Sequence, residues 1–281
     1  MGEYKERVIN YFRDKAEEYD LVDDQIYWVL SDNLLWKILK DNALDKLDEE
    51  FSFVDAGGGT ARWTVKILEE YKKSTGKIID LSEDMLIQAK QKIIKKSLNN
   101  RVKVEQADLD KYEIKQNDKY DIAFSFHNVL GFVKNPKNVM KKMYDMVNEG
   151  GYVVALTPNL YHNIYFNIYV DDFKLAKEAY EEGRGKFTSD MPAMHMFTPQ
   201  SLRNIYNEIG IEIVGVYGFP ITIYPGMQET QLRGETKKLE NILNDEEKFN
   251  FIFNTELQLY KNEDAAGRGN QIIIIGRKKS K

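Results

Sequence analysis

The chain has no cysteine. That excludes disulfide scaffolds, thiol nucleophiles and cysteine-ligated zinc or iron–sulfur sites. Histidine is scarce as well, with only His127, His162 and His195, so imidazole chemistry has few carriers. No apolar run approaches the length of a membrane span. The opening MGEYKERVINYF mixes charges with apolar residues instead of forming the apolar core of a secretory signal, and Glu6 stands where a myristoylation signal needs Ser or Thr. A cationic excess is missing too. Lys and Arg number 40 against 45 Asp and Glu, a formal charge of -5, which gives no footprint for nucleic acid. The locally basic KQKIIKK at 90–96 reads as a solvated helix face. These absences predict a cytoplasmic protein with neither a membrane nor DNA as partner. Nothing in the residues selects an oligomeric state.

What is present is an alternation. The 281 residues suffice for one large α/β domain held by its own core. Val8, Ile9, Phe12, Ala16 and Tyr19 recur at helical spacing, and a second apolar helical segment runs from Ile26 to Leu39. Then FSFVDAGGG reads as strand and turn, ARWTVKILEEY as helix, GKIIDLS as strand, and EDMLIQAKQKIIKK as a helix capped by Ser82. The segments RVKVEQAD and KYDIAFSFHN continue as strands. Asn135 and Pro136 start a helix expected to reach Gly150, followed by the strand YVVALTP. Strands separated by helices in this way predict right-handed βαβ units in a mainly parallel sheet. Beyond Pro158 the aromatic stretch 159–198 is too apolar for a solvated linker, so it should pack or bind as a lid after the fifth strand. With no internal repeat, the chain divides into an N-terminal helical cap at 1–45 and one domain at 46–281, with insertions near 159–198 and 221–268.

The stretch FVDAGGGTARW at 53–63 places glycines between a strand and a helix, the form of a ligand-binding turn. A dinucleotide fingerprint would need glycine at Arg62, and a Walker A loop would need a Gly-Lys-Ser/Thr ending. Neither is present. There remains DxGxG, formed by Asp55, Gly57 and Gly59, with Asp80 following 25 residues after Asp55 at the end of the next strand.

On these residues the chain resembles the class I S-adenosylmethionine-dependent methyltransferases, from Phe51 to the strand ending near Gly276. The resemblance implies a Rossmann-like, mainly parallel seven-stranded sheet with helices on both faces, S-adenosylmethionine as cofactor and S-adenosylhomocysteine as product. No metal is expected, because Asp121 lies at the wrong end of its strand for a ligand and Asp171 with Asp172 reads as a helix start. It implies that Asp55, Ala56, Gly57 and Gly59 lie under the methionine part, and that Asp80 accepts both ribose hydroxyls with Leu81 and Met85 beside the adenine. Asp108 would accept the adenine amino group near Leu109, and Ser125 would end the fourth strand beside the methionine amino group. Tyr19 resembles a tyrosine placed near the cofactor carboxylate. The family often has a third glycine where this chain has Ala61. The chemistry agrees, since a diol and an amino group both want acceptors, and carboxylates would repel a polyphosphate. The bland alternatives are that Asp55 stabilises its turn, Asp80 caps the following helix and Asp108 belongs to a surface loop.

The expected activity is methyl transfer to nitrogen or oxygen of a small molecule or modified peptide, by in-line displacement. The alternative is a catalytically silent subunit that binds the cofactor. His127 and His162 follow the fourth and fifth strands, and each is a candidate general base or a structural imidazole. Tyr161, Tyr165 and Tyr169, spaced every four residues, together with Trp36 and His195, are candidates for the acceptor pocket; packing in a lid or core is their other reading.

Overall fold

The computed structural model describes residues 2–223 and 237–280. The predicted insertion at 221–268 and the charged helical stretch from Thr236 therefore fall partly outside the described residues. Two helices, α1 (Glu3–Arg13) and α2 (Ile26–Asn42), precede the sheet. Then come β1 (Ser52–Ala56), α3 (Arg62–Glu70), β2 (Thr75–Asp80), α4 (Glu83–Lys95), β3 (Val102–Gln106) and β4 (Tyr120–Ser125). The chain continues through α5 (Val129–Phe132), α6 (Pro136–Met146), β5 (Val147–Pro158), α7 (Leu160–Tyr169) and α8 (Phe173–Glu182). A two-residue hairpin, β6 (Arg184–Gly185) and β7 (Met194–His195), leads to α9 (Pro199–Ile209) and β8 (Glu212–Phe219). Last are α10 (Lys237–Leu243), α11 (Glu246–Leu259) and β9 (Gln271–Arg277).

The seven long strands form one sheet in the order β3-β2-β1-β4-β5-β9-β8. The first five run parallel, and β9 pairs antiparallel to both β5 and β8. Alternation along each strand feeds two cores. Phe53, Phe124, Val154 and Ile273 face α2, α3 and α4. Their neighbours Val54, Ala123, Val153 and Ile272 face α6 and α9. This is the Rossmann-like arrangement with helices on both faces. A third, smaller core of Phe166, Phe187, Met191, Met194 and Met196 belongs to the segment after β5, and Tyr11 of α1 and Phe132 of α5 pack against it.

Local chemistry fixes the ends. Ser82 accepts from the Met85 N–H, and Asn135 accepts from the Asn138 N–H ahead of Pro136. The helix expected to reach Gly150 stops at Met146, because β5 already pairs with β4 from Val147. Gly150 sits within that strand at φ +79°, next to a register shift between Tyr120 and Ile122, so the glycine serves a bulge rather than a helix end.

The strand order reverses between β1 and β4, with β2 and β3 built outward on one side and β5 on the other. A crevice opens there at the carboxyl ends of the strands.

Candidate functional site

A cavity of about 640 Å³ lies over this reversal point. Its floor is the glycine turn after β1 and the ends of β2, β3 and β4, and its roof is α1 with the β6–β7 hairpin. Among the sequence candidates it gathers Tyr19, Asp55, Gly57, Gly59, Asp80, Leu81, Met85, Asp108, Leu109, His127 and His195.

The turn after β1 is bound to its neighbours on both sides. The Asp80 carboxylate accepts from the Gly59 N–H at 2.9 Å through Oδ2 and from the Ser82 N–H at 2.8 Å through Oδ1. Each oxygen keeps a second lone pair for a ligand hydroxyl. Burial pushes the Asp80 carboxyl above its ordinary range, against the opposing pull of these N–H donors. Gly57 has φ +87°, and a Cβ there would lie 2.3 Å from the Val129 side chain, so glycine is required on both counts. Ala61 has φ +65°. That left-handed conformation is why glycine suits the position. Asp55 is buried, accepts from the Thr64 hydroxyl at 2.7 Å, and is pushed up to about 7, first by burial and further by Asp80.

Past β4, His127 and Asn128 both adopt left-handed backbone, with φ +52° and +68°. Two such residues in succession mark strain held in place by the surrounding packing. The Trp63 indole N–H donates to His127 Nε2 at 2.5 Å. An indole only donates, so the His127 proton sits on Nδ1. Burial and the nearby Arg62 charge push this imidazole down to about 3, and it is neutral at working pH. In this state it can donate to a ligand through Nδ1 but has no free lone pair at Nε2. Arg62 itself pairs with Asp23 and Asp32. Tyr19 keeps its proton, its phenol pushed up to about 12 by burial.

The roof supplies residues that the sequence did not single out as site residues. Lys5 of α1 pairs with the Asp108 carboxylate, whose other oxygen accepts from the Asp110 N–H at 3.1 Å. The Tyr4 hydroxyl donates to the Ala193 carbonyl at 2.7 Å, which latches α1 to the segment between β6 and β7. Val8, Ile9, Phe12 and Phe132 provide apolar lining. The amphipathic spacing of Val8, Ile9 and Phe12 was the only available signal, and it did not say which surface α1 would cover.

Seven candidates lie outside the lining. Ala56 and Ser125 are buried beneath it, with the Ser125 hydroxyl donating to the Ala56 carbonyl at 2.7 Å. Trp36 packs beside Trp63 and Tyr71 on the α2 side of the sheet. His162 is buried between the rings of Tyr165 and Phe187, with Nε2 at 3.0 Å from Asn270 Nδ2. Tyr161, Tyr165 and Tyr169 do share one face of α7, but that face is 54, 50 and 60 % exposed and contributes nothing to the cavity lining, while α7 buries Phe166 and Asn163 instead. Among the described residues no cluster of three or more His, Asp or Glu could hold a metal ion, and no helix is long and apolar enough to cross a membrane.

Residues 53–151 match a family model described as a methyltransferase domain. Malonyl-[acyl-carrier protein] O-methyltransferase 2 of Ilyobacter polytropus is 29 % identical over 115 residues, 41 % of this chain and 42 % of that protein. The ubiquinone/menaquinone biosynthesis C-methyltransferase of a Bradyrhizobium species is 27 % identical over 163 residues, 56 % and 61 % of the respective lengths. The chain thus spans about half the length of these curated relatives. Among solved structures, phosphoethanolamine N-methyltransferase 2 of Haemonchus contortus in complex with S-adenosyl-L-methionine superposes with a TM-score of 0.58 at 18 % identity, covering 96 % of this chain and 60 % of that one. That likeness shows the fold.

Proposed function

We propose that the chain, which matches a methyltransferase-domain model over residues 53–151, is a class I S-adenosylmethionine-dependent methyltransferase that transfers a methyl group to nitrogen or oxygen of a small molecule or modified peptide. The observation that carries this reading is the convergence of the glycine turn, Asp80 and Asp108 on a single cavity. The residues present fit the cofactor. Asp80 has unused lone pairs for a ribose diol, and Asp108 offers an acceptor once Lys5 shares or yields it. The Asp55 carboxyl lies beside the turn, where an ammonium group would draw it into its charged form.

When bound, S-adenosylmethionine supplies a methyl group already activated by its sulfonium. The protein then has to align the acceptor and keep water out. Val8, Ile9, Phe12 and Phe132 serve the second task by lining the space beneath α1. His127 donates from Nδ1 and helps to orient the acceptor; with Nε2 held by Trp63 it does not serve as a base through that nitrogen. His195 Nε2 is likewise engaged, by Arg184. The site therefore suits a nucleophile that arrives without its proton, such as a carboxylate or a neutral amine. The name of the Ilyobacter relative, an O-methyltransferase, fits the oxygen branch.

The same engaged imidazoles favour a second reading, a silent subunit that binds the cofactor without turnover. Methyl-labelled S-adenosylmethionine incubated with carboxylate and amine acceptors separates the two. Label in a product supports the enzyme. Tight S-adenosylhomocysteine binding with no label transferred to any acceptor supports the silent subunit.

A further inference from the structure

The cavity's cationic side chains that are not fully exposed meet carboxylates, with one exception among the described residues; Lys111 and Lys134, also in the lining, are exposed to solvent. Lys5 meets Asp108, and Arg62 meets Asp23 and Asp32. The Asp110 carboxylate accepts from the backbone N–H groups of Lys134 and Asn135 at 2.7 and 3.0 Å. Arg184, half-buried at the start of β6, has no carboxylate at ion-pair distance among the described residues, and its partners are neutral. Nη1 donates to His195 Nε2 at 2.9 Å, Nη2 donates to the Ala193 carbonyl at 2.7 Å, and the guanidinium carbon lies 5.3 Å from the centroid of the Tyr4 ring. An arginine cannot give up its proton, so this charge stays in a largely apolar cavity and wants an anion. The Tyr4 hydroxyl is a further hydrogen-bond partner of the guanidinium, which leaves two of its five N–H donors to bind one.

Its surroundings hold the fork still. β6 and β7 pair Arg184 with His195 and Gly185 with Met194. The hairpin sits directly on α5: a Cβ on Gly131 would lie 3.1 Å from the His195 carbonyl oxygen. α5 in turn follows directly on the strained turn at His127, after the end of β4. Burial and the Arg184 charge both lower the His195 imidazole, which keeps Nε2 a free acceptor for Arg184.

We propose that Arg184 binds an oxyanion of the methyl acceptor, a carboxylate or a phosphate, with His195 and the Ala193 carbonyl positioning its guanidinium. The proposal rests on the methyl-transfer reading and narrows it to acidic acceptors.

The test uses the full chain saturated with S-adenosylhomocysteine, titrated calorimetrically with inorganic phosphate, with succinate, and with succinamide as the neutral control. Both anions are expected to bind where succinamide does not. Arg184→Gln should weaken the tighter anion about tenfold or more, and Arg184→Lys by less, as expected for loss of charge-assisted hydrogen bonds. Unchanged S-adenosylhomocysteine affinity in both variants would show that each is folded. Preference for phosphate assigns a phosphoryl group to the acceptor, and preference for succinate assigns a carboxyl group. Equal anion affinity in wild type and Arg184→Gln overturns the proposal, as does a wild-type complex that binds neither anion. A parallel loss of S-adenosylhomocysteine affinity in Arg184→Gln also overturns it, by moving Arg184 into the cofactor site. If S-adenosylhomocysteine fails to bind the wild type, the methyl-transfer reading falls and takes this proposal with it; if it binds and the anions do not, only this proposal falls.

Discussion

The floor of the cavity is made of neighbouring strand ends, and its roof is made of distant pieces of chain. On the floor, the Asp80 carboxylate is fixed by N–H groups 21 and 2 residues away, both on elements flanking the same crevice. In the roof, Tyr4 reaches Ala193 across 189 residues and Lys5 reaches Asp108 across 103. A floor anchored in a parallel sheet is set as soon as the strands pair. Within the roof the β6–β7 hairpin rests on α5, whereas α1, held by one hydroxyl, one part-exposed ion pair and a small satellite core, can open at low cost. On the proposed methyl-transfer reading, cofactor recognition belongs to the floor and acceptor entry to the side covered by α1.

The largest expected effects are both on the floor. Asp80→Ala should weaken S-adenosylhomocysteine binding about 10- to 100-fold, or roughly 1–3 kcal/mol, measured by calorimetry. A folded variant of unchanged affinity would remove Asp80 from the ligand contacts. The other concerns Asp55. Its folded value, about 7, lies above its unfolded one, so burying it costs stability from about pH 4 upward, and the cost is complete once pH exceeds 7. Asp55→Asn should therefore stabilise the ligand-free protein at pH 8 by about 4 kcal/mol and raise its melting temperature, with a smaller gain at pH 5. It should lower cofactor affinity at the same time. A gain that does not grow with pH would contradict the raised value.

His127 has the opposite sign. Its folded value, about 3, lies below the unfolded value, so its contribution is complete above about pH 6.5 and is lost as pH falls toward 3. Over that window, wild type should lose about 1 kcal/mol per pH unit more than His127→Gln, read from denaturation midpoints. Equal acid sensitivity would mean the imidazole protonates freely. In the roof, Lys5→Met frees Asp108 and should tighten S-adenosylhomocysteine about two- to fivefold, the scale of a part-exposed ion pair. Weaker binding would show instead that Lys5 closes the roof on the ligand. The smallest effect belongs to Tyr165→Ser, outside the cavity, which should leave cofactor affinity within about twofold.

The same division explains what could be read from the residues. Strand alternation, the caps at Ser82 and Asn135, and the DxGxG turn are local signals, and the parallel sheet and its helices follow from them. Asp80 and Asp108 sit at strand ends that such a sheet brings together. The roof depends on contacts with no local signature. The spacing of Tyr161, Tyr165 and Tyr169 identified a helix face correctly but not which way it would turn, because that depends on Phe166 docking against Phe187. His162 follows β5 as His127 follows β4, yet α7 carries it into a buried contact with Asn270. Arg184 gave no signal in a GRG turn, since its importance lies in the carboxylate it lacks.

The central claim is that the floor binds a sulfonium nucleoside, and calorimetric titration of the purified protein with S-adenosylmethionine, S-adenosylhomocysteine and NAD tests it most directly. The account predicts saturable binding of the first two and none of NAD. Binding of NAD alone would contradict it, and with it the roles given to Asp55, Asp80 and Asp108.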